Sequence, residues 1–169
     1  MKKFDNLNDR LNYLVENDYY SKEILDLYDQ YVIDVIYDFI RAKNFKFQSY
    51  MSASKFYQNY ALKSNDGEEI LENYEDKVLI VALTLGNGEP KLAKDIAEKL
   101  INQEFQPATP TFLNAGRARG GKMVSCFLVN VEDSCEGISY AVSSANHLSK
   151  IGGGVALNLT RLRASGESI

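Results

Sequence analysis

Late in the chain an apolar run, MVSCFLVNV (123–131), is followed by a helix-forming stretch, DSCEGISYAVSSANHLSK (133–150). The turn IGGG then leads into a second apolar run, VALNLTRLRA (155–164). Strand, crossover helix and strand in that order make one right-handed parallel unit. A parallel sheet is covered on both faces and needs more than two strands. The pattern therefore predicts the opening of an α/β domain that continues past residue 169. Its apolar edges are built for neighbours and predict poor stability for this piece alone.

The text before it is helical. Phe4, Leu7, Leu11 and Leu14 recur at spacings of three and four, as do Ile24, Tyr28, Tyr31 and Val35, the period of an amphipathic helix. SKEILDLYDQYVIDVIYDFIRAK predicts one sustained helix opened by Ser21 as cap. Its tyrosine stripe reads as packing, not as a radical or cofactor path. SASKFYQNYALK predicts a helix running into a strand, and SNDGEEILE a hairpin turn through Asp66-Gly67. Glu68 and Glu69 would face opposite ways on a strand, which excludes a paired acid/base role. YEDKVLIVALTLG predicts a buried helix ended by Gly86. EPKLAKDIAEKLINQ predicts another, with Pro90 in its first turn and Leu92, Ile96 and Leu100 on one face. FQPATPTFLNAGRARGGK, dense in Pro, Thr and Gly, predicts loop. The expected organisation is a helical extension (1–48), a mostly helical domain (49–116) and the start of an α/β domain (117–169).

A net charge of −4 argues against nucleic acid or an anionic membrane as partner. No apolar run approaches the ~20 residues that span a bilayer. The N-terminal MKKFDNLNDRLNYLVEND lacks the apolar block of a signal peptide. A cytoplasmic protein is expected, with its cysteines as thiols.

Few residues could carry chemistry. Cys126, Cys135 and the single histidine, His147, form no C-x-x-C pair and no zinc ligand set. By composition Cys126 is a small core residue; by setting, after a Thr/Ser/Gly-rich loop and beside Ser125, it could face an anionic ligand. Gly152, Gly153 and Gly154 lie between helix and strand, the wrong place for a dinucleotide fingerprint, and no Gly-Lys-Ser/Thr follows. They serve either a helix cap or a close backbone approach to a flat ligand. Asp133 with Ser134 is either a helix cap or a hydroxyl-binding carboxylate beside helix-end N–H groups. Arg161 and Arg163 are either solvated rim or phosphate donors.

Taken in order, EFQPATPTFLNAG, VSCFLVNVEDS and LSKIGGGVALNLTRLRASGESI closely resemble the large, catalytic subunit of class I ribonucleotide reductase, in particular its class Ib branch. The resemblance runs from about Ser49 to the last residue. It implies a helical N-terminal domain followed by the first strand–helix–strand unit of a ten-stranded α/β barrel, here incomplete. It also implies reduction of ribonucleoside diphosphates by thiyl-radical chemistry, with a redox-active cysteine pair. By motif, Cys126 is similar to the first cysteine of that pair, and Thr109 and Ser125 to hydroxyl residues holding the substrate diphosphate. Gly154 is similar to the glycine that lets backbone pass close to the nucleoside. Asp133, Ser134 and Arg163 match the site for the deoxynucleoside triphosphate effector, on a helix packed at the family's dimer interface. Cys135 has no counterpart role.

The same resemblance implies no cofactor in this chain. A metal-containing small subunit supplies the radical, and a thioredoxin- or glutaredoxin-like protein supplies reducing equivalents. The first 48 residues are too short for a full ATP-binding cone, so no overall ATP/dATP switch is expected. The radical cysteine and the second redox cysteine lie further along a full-length subunit. The chain is thus expected to be inactive without a C-terminal remainder. The alternative is a non-catalytic interaction module, or a remnant of an interrupted gene.

Overall fold

The computed structural model describes residues 2–168, which form two compact units, 2–120 and 121–168. The first is helical throughout: α1 (Leu7–Glu16), α2 (Lys22–Leu25), α3 (Gln30–Ala42), α4 (Tyr50–Asn59), α5 (Tyr74–Gly86), α6 (Pro90–Ile101) and α7 (Thr109–Asn114). Its core is built around α5, in which every residue from Val78 to Leu83 is buried. Asn73 and Asp76 cap the start of that helix reciprocally, each side chain accepting from the other's backbone N–H.

The predicted single helix over 21–43 is broken into α2 and α3. Tyr28 is the reason. Its hydroxyl donates to the Leu83 carbonyl at 2.9 Å and accepts from Gly88 N–H at 2.8 Å, closing the frayed end of α5. Burying that phenol pulls the chain out of helix before Asp29, whose extended backbone then opens α3. The buried stripe of α3 is Ile33, Ile36, Tyr37 and Ile40; Tyr31 and Val35, expected inside, are exposed. Ser21 precedes α2 but makes no side-chain cap.

Other expectations shift for similar reasons. The strand after α4 shrinks to one antiparallel bridge, Lys63 with Ile70, around the Asp66-Gly67 turn. Gly86 is the last residue of α5, but Asn87 takes the left-handed conformation that ends it (φ 45°). Gly86 serves packing instead: a Cβ there would lie 2.7 Å from Ala93 Cβ and from the Tyr28 hydroxyl. The inner face of α6 is accordingly Ala93, Ala97, Leu100 and Ile101, with Leu92 exposed, because small residues let α6 approach α5 closely. The stretch read as loop holds α7, with Pro110 in its first turn and Phe112 buried.

Two buried charge networks tie this unit together. Glu72, fully buried, accepts from Tyr20 Oη at 2.5 Å and Leu62 N–H at 2.8 Å, and pairs with Lys77 Nζ at 2.8 Å and Arg117 at 3.5 Å. Burial works to raise the Glu72 carboxyl, but Lys77 and Arg117 overcome it and hold it below the usual range. Asp76 accepts from Tyr37 Oη at 2.8 Å and pairs with Arg10. Burial raises the Asp76 carboxyl, and burial with the Asp76 charge pushes the Tyr37 phenol up to about 12. Neither network has a sequence signature beyond the N-x-x-D cap at Asn73.

The second unit has β1 (Cys126–Asn130) parallel to β2 (Gly154–Asn158), joined by the crossover helix α8 (Cys135–Lys150). The register sets Cys126 against Gly154 and Asn130 against Asn158. Both strands are shorter than the apolar runs that announced them. The Asn158 side chain accepts from Thr160 N–H and Oγ1, at 3.2 and 2.9 Å, and turns the chain out of β2. The strands are not buried as expected: positions in β1 alternate between exposed and half-buried, with Leu128 87% exposed. One helix and one neighbouring strand are too little to cover them. No helix among the described residues is long and apolar enough to cross a membrane.

Candidate functional site

Two clusters form at opposite ends of the parallel pair, separated by the length of β1, roughly 13 Å at ~3.3 Å per residue. At the entry end, Ser125 lies just before regular pleating begins. Its hydroxyl is 3.5 Å from Cys126 Sγ, although neighbours on an ideal strand would point apart. The Ser125 carbonyl accepts from Gly154 N–H at 2.7 Å. Cys126 is exposed and unpaired, not a core residue. It presents sulfur, hydroxyl and bare glycine backbone side by side.

The three glycines have three different reasons. Gly152 takes a left-handed backbone (φ 89°) just past the end of α8. Gly153 lies on the Phe127 ring, where a Cβ would come within 2.3 Å of Cε2. At Gly154 a Cβ would meet only the Ser125 carbonyl, at 3.4 Å. Packing inside the chain thus leaves room for a side chain beside Cys126, and the sequence leaves it out.

At the far end, Ser134 caps α8 by accepting from Gly137 N–H at 3.0 Å. Asp133 is not the cap. Its Oδ2 accepts from Arg163 Nε at 2.8 Å, and its backbone carbonyl accepts from Arg163 Nη2 at 3.0 Å. The structure thereby joins Asp133 and Arg163, which the sequence presents thirty residues apart; Arg161 is exposed. Thr109 belongs to the first unit, where it opens α7 and lines an aromatic cleft of about 310 Å³ with Phe56, Tyr60, Tyr74 and Phe112. Cys135 is the exposed first residue of α8, and His147 lies within 2.9 Å of the Ser143 carbonyl one turn earlier. Among the described residues no cluster of three His, Cys, Asp or Glu could hold a metal ion.

A helical domain followed by the first parallel strand–helix–strand unit of an α/β barrel, with a free thiol where that unit begins, defines a class of radical-using nucleotide enzymes. Three family descriptions match consecutive parts of the chain: ribonucleotide reductase N-terminal (1–45), ribonucleotide reductase all-alpha domain (46–120) and ribonucleotide reductase barrel domain (124–169). The chain belongs to the ribonucleotide reductase family, as large-subunit sequence of the class Ib type.

It is 55% identical to the ribonucleoside-diphosphate reductase subunit alpha of Bacillus subtilis over 98% of its own length and 24% of that protein. It is 53% identical to the nrdEB subunit alpha of Bacillus phage SPbeta, covering 98% of this chain and 15% of that one. The subunit alpha of Mycoplasma pneumoniae is 45% identical over 99% of this chain and 23% of its own. The chain therefore spans about a quarter or less of these relatives. The similarity also takes in the first 45 residues, which the motifs had left aside.

Proposed function

We propose that this chain supplies the opening part of a ribonucleoside-diphosphate reductase catalytic subunit, with Cys126 as one thiol of the redox pair. In the overall reaction the 2′-hydroxyl leaves as water. Two thiols give up two electrons and become a disulfide, which an external dithiol protein reduces again. Cys126 would deliver one of those thiols to the ribose. Ser125 and Thr109 would hold the diphosphate. Gly154 would keep the nucleoside face of β2 clear of side chains. One observation supports this most: hydroxyl, thiol and side-chain-free backbone are gathered in one exposed place, with no internal packing that requires Gly154.

The radical comes, on this reading, from a metal-containing small subunit and the electrons from a thioredoxin- or glutaredoxin-like donor. Asp133, Ser134 and Arg163 form the effector site for a deoxynucleoside triphosphate, Asp133 through a sugar hydroxyl and Arg163 through phosphate. The large subunit works as a homodimer in the cytoplasm, and its organisation is the 1–48, 49–116 and 117–169 division read from sequence. Activity requires the rest of the subunit, which holds the partner thiol. The test is to express the chain with that remainder and the small subunit, then follow reduction of a ribonucleoside diphosphate. Turnover that depends on both parts is expected. Assembly without turnover would favour the interaction-module reading instead.

A further inference from the structure

We infer that the Asp133–Arg163 pair is a closed form of the effector site, opened only by a ligand that brings both a phosphate and a free sugar hydroxyl. This rests on the effector-site reading proposed above. The Nε and Nη2 edge of a guanidinium is one that grips a phosphate through two parallel hydrogen bonds. In Arg163 residue 133 fills that edge twice, with its carboxylate at 2.8 Å and its backbone carbonyl at 3.0 Å. The remaining nitrogen, Nη1, donates to the Ser168 carbonyl. A phosphate can take the gripping edge only by displacing Asp133.

The displaced carboxylate then needs a donor. Its Oδ1 is already buried and accepts no hydrogen bond among the described residues, and release from Arg163 would orphan Oδ2 as well. A ligand bringing phosphate alone exchanges one anion for another on Arg163 and leaves a carboxylate without a donor beside it, an arrangement that costs affinity. A ligand with a hydroxyl placed to reach Asp133 supplies that donor and turns the cost into a bond. The pair therefore rejects bare polyphosphates and selects for the intact sugar. Neither residue alone would do this.

The test follows the Arg163 Nε–H resonance by ¹⁵N NMR in the 169-residue chain, titrated with thymidine 5′-triphosphate, its 2′,3′-dideoxy analogue and inorganic tripolyphosphate. Wild-type chain should bind thymidine triphosphate about tenfold or more tighter than either other probe, as expected for a hydrogen bond to a charged group. In Asp133→Asn the advantage over tripolyphosphate should fall below about threefold, chiefly because tripolyphosphate binds better. Glu136→Gln removes the same charge nearby while keeping the pair, and should raise tripolyphosphate affinity less than about twofold. Equal gains in the two variants would overturn the inference, as would wild-type chain that ignores loss of the 3′-hydroxyl. The latter comparison needs no variant to fold. If no probe moves the Arg163 signal in any of the three proteins, the effector-site reading itself fails and the inference falls with it.

Discussion

Lys77 Nζ lies 2.8 Å from Glu72 Oε1, with both side chains wholly withdrawn from solvent. That pair holds three separated parts of the first unit on one carboxylate, because Tyr20, Leu62 and Arg117 also converge on Glu72. Breaking a buried pair strands the surviving charge. Glu72→Gln should therefore destabilise the first unit by about 3–5 kcal/mol. Urea unfolding followed by tyrosine fluorescence reports on that unit, since every tyrosine but Tyr140 lies within it. A loss below about 1 kcal/mol would mean the network contributes little.

The same carboxylate sets an acid limit. Its folded-state pKa is depressed below the ordinary value of 4.5. Its contribution is thus fully present above that value and is lost as pH falls through the lower folded value. The stability gap between wild type and Glu72→Gln should be constant from pH 7 to about 5 and should narrow at lower pH. A gap that stays constant down to pH 3 would contradict the ionised, paired state of Glu72.

Gly86→Ala sets helix propensity against packing. In an open helix the change stabilises by about 1 kcal/mol. Here the new methyl would lie 2.7 Å from Ala93 Cβ and 2.9 Å from Ala93 Cα, and overpacking of this kind costs about 1–3 kcal/mol. A net loss of stability is expected in the same urea assay, and a gain would show that α5 and α6 can part without cost.

The neighbouring glycines of the second unit separate structure from function. Gly153→Ala drives a methyl into the Phe127 ring at 2.3 Å and should disturb the sheet, seen as broad changes in amide NMR spectra. Gly154→Ala meets only one carbonyl oxygen at 3.4 Å and should leave those spectra nearly unchanged. In the assembled reductase it should nevertheless raise KM for the nucleoside diphosphate about tenfold or more, by crowding the ligand's path. Unchanged KM would remove Gly154 from the proposed substrate site.

What the sequence disclosed follows the range of the forces involved. Helix α5 was legible from residue 74 to residue 86, because its cap and its unbroken apolar run are local signals. The strand–helix–strand unit was legible for the same reason. The break between α2 and α3 was not, since Tyr28 leaves the helix to serve Leu83, a partner 55 residues away. Helix α7 was hidden by a composition of Pro, Thr and Gly that reads as loop until Phe112 finds a core to enter. Facing of α6 failed because Ala93 and Ala97 look neutral in a hydrophobic pattern, yet only small side chains fit against Gly86. At the candidate site, pleat geometry alone left Ser125 and Cys126 facing apart; the start of β1 at Cys126 removes the difficulty. The Asp133–Arg163 pair needed the crossover to fold before the two residues could meet.

The central claim is that the Cys126 sulfur reduces the ribose. The most direct measurement is deoxynucleoside diphosphate formation by the assembled subunit, with its remainder, small subunit and a thioredoxin-like donor, comparing wild type with Cys126→Ser. The account predicts loss of multiple turnover by about a hundredfold or more, since serine cannot give up the electron pair that a thiol does. Equal turnover with serine at that position would contradict it.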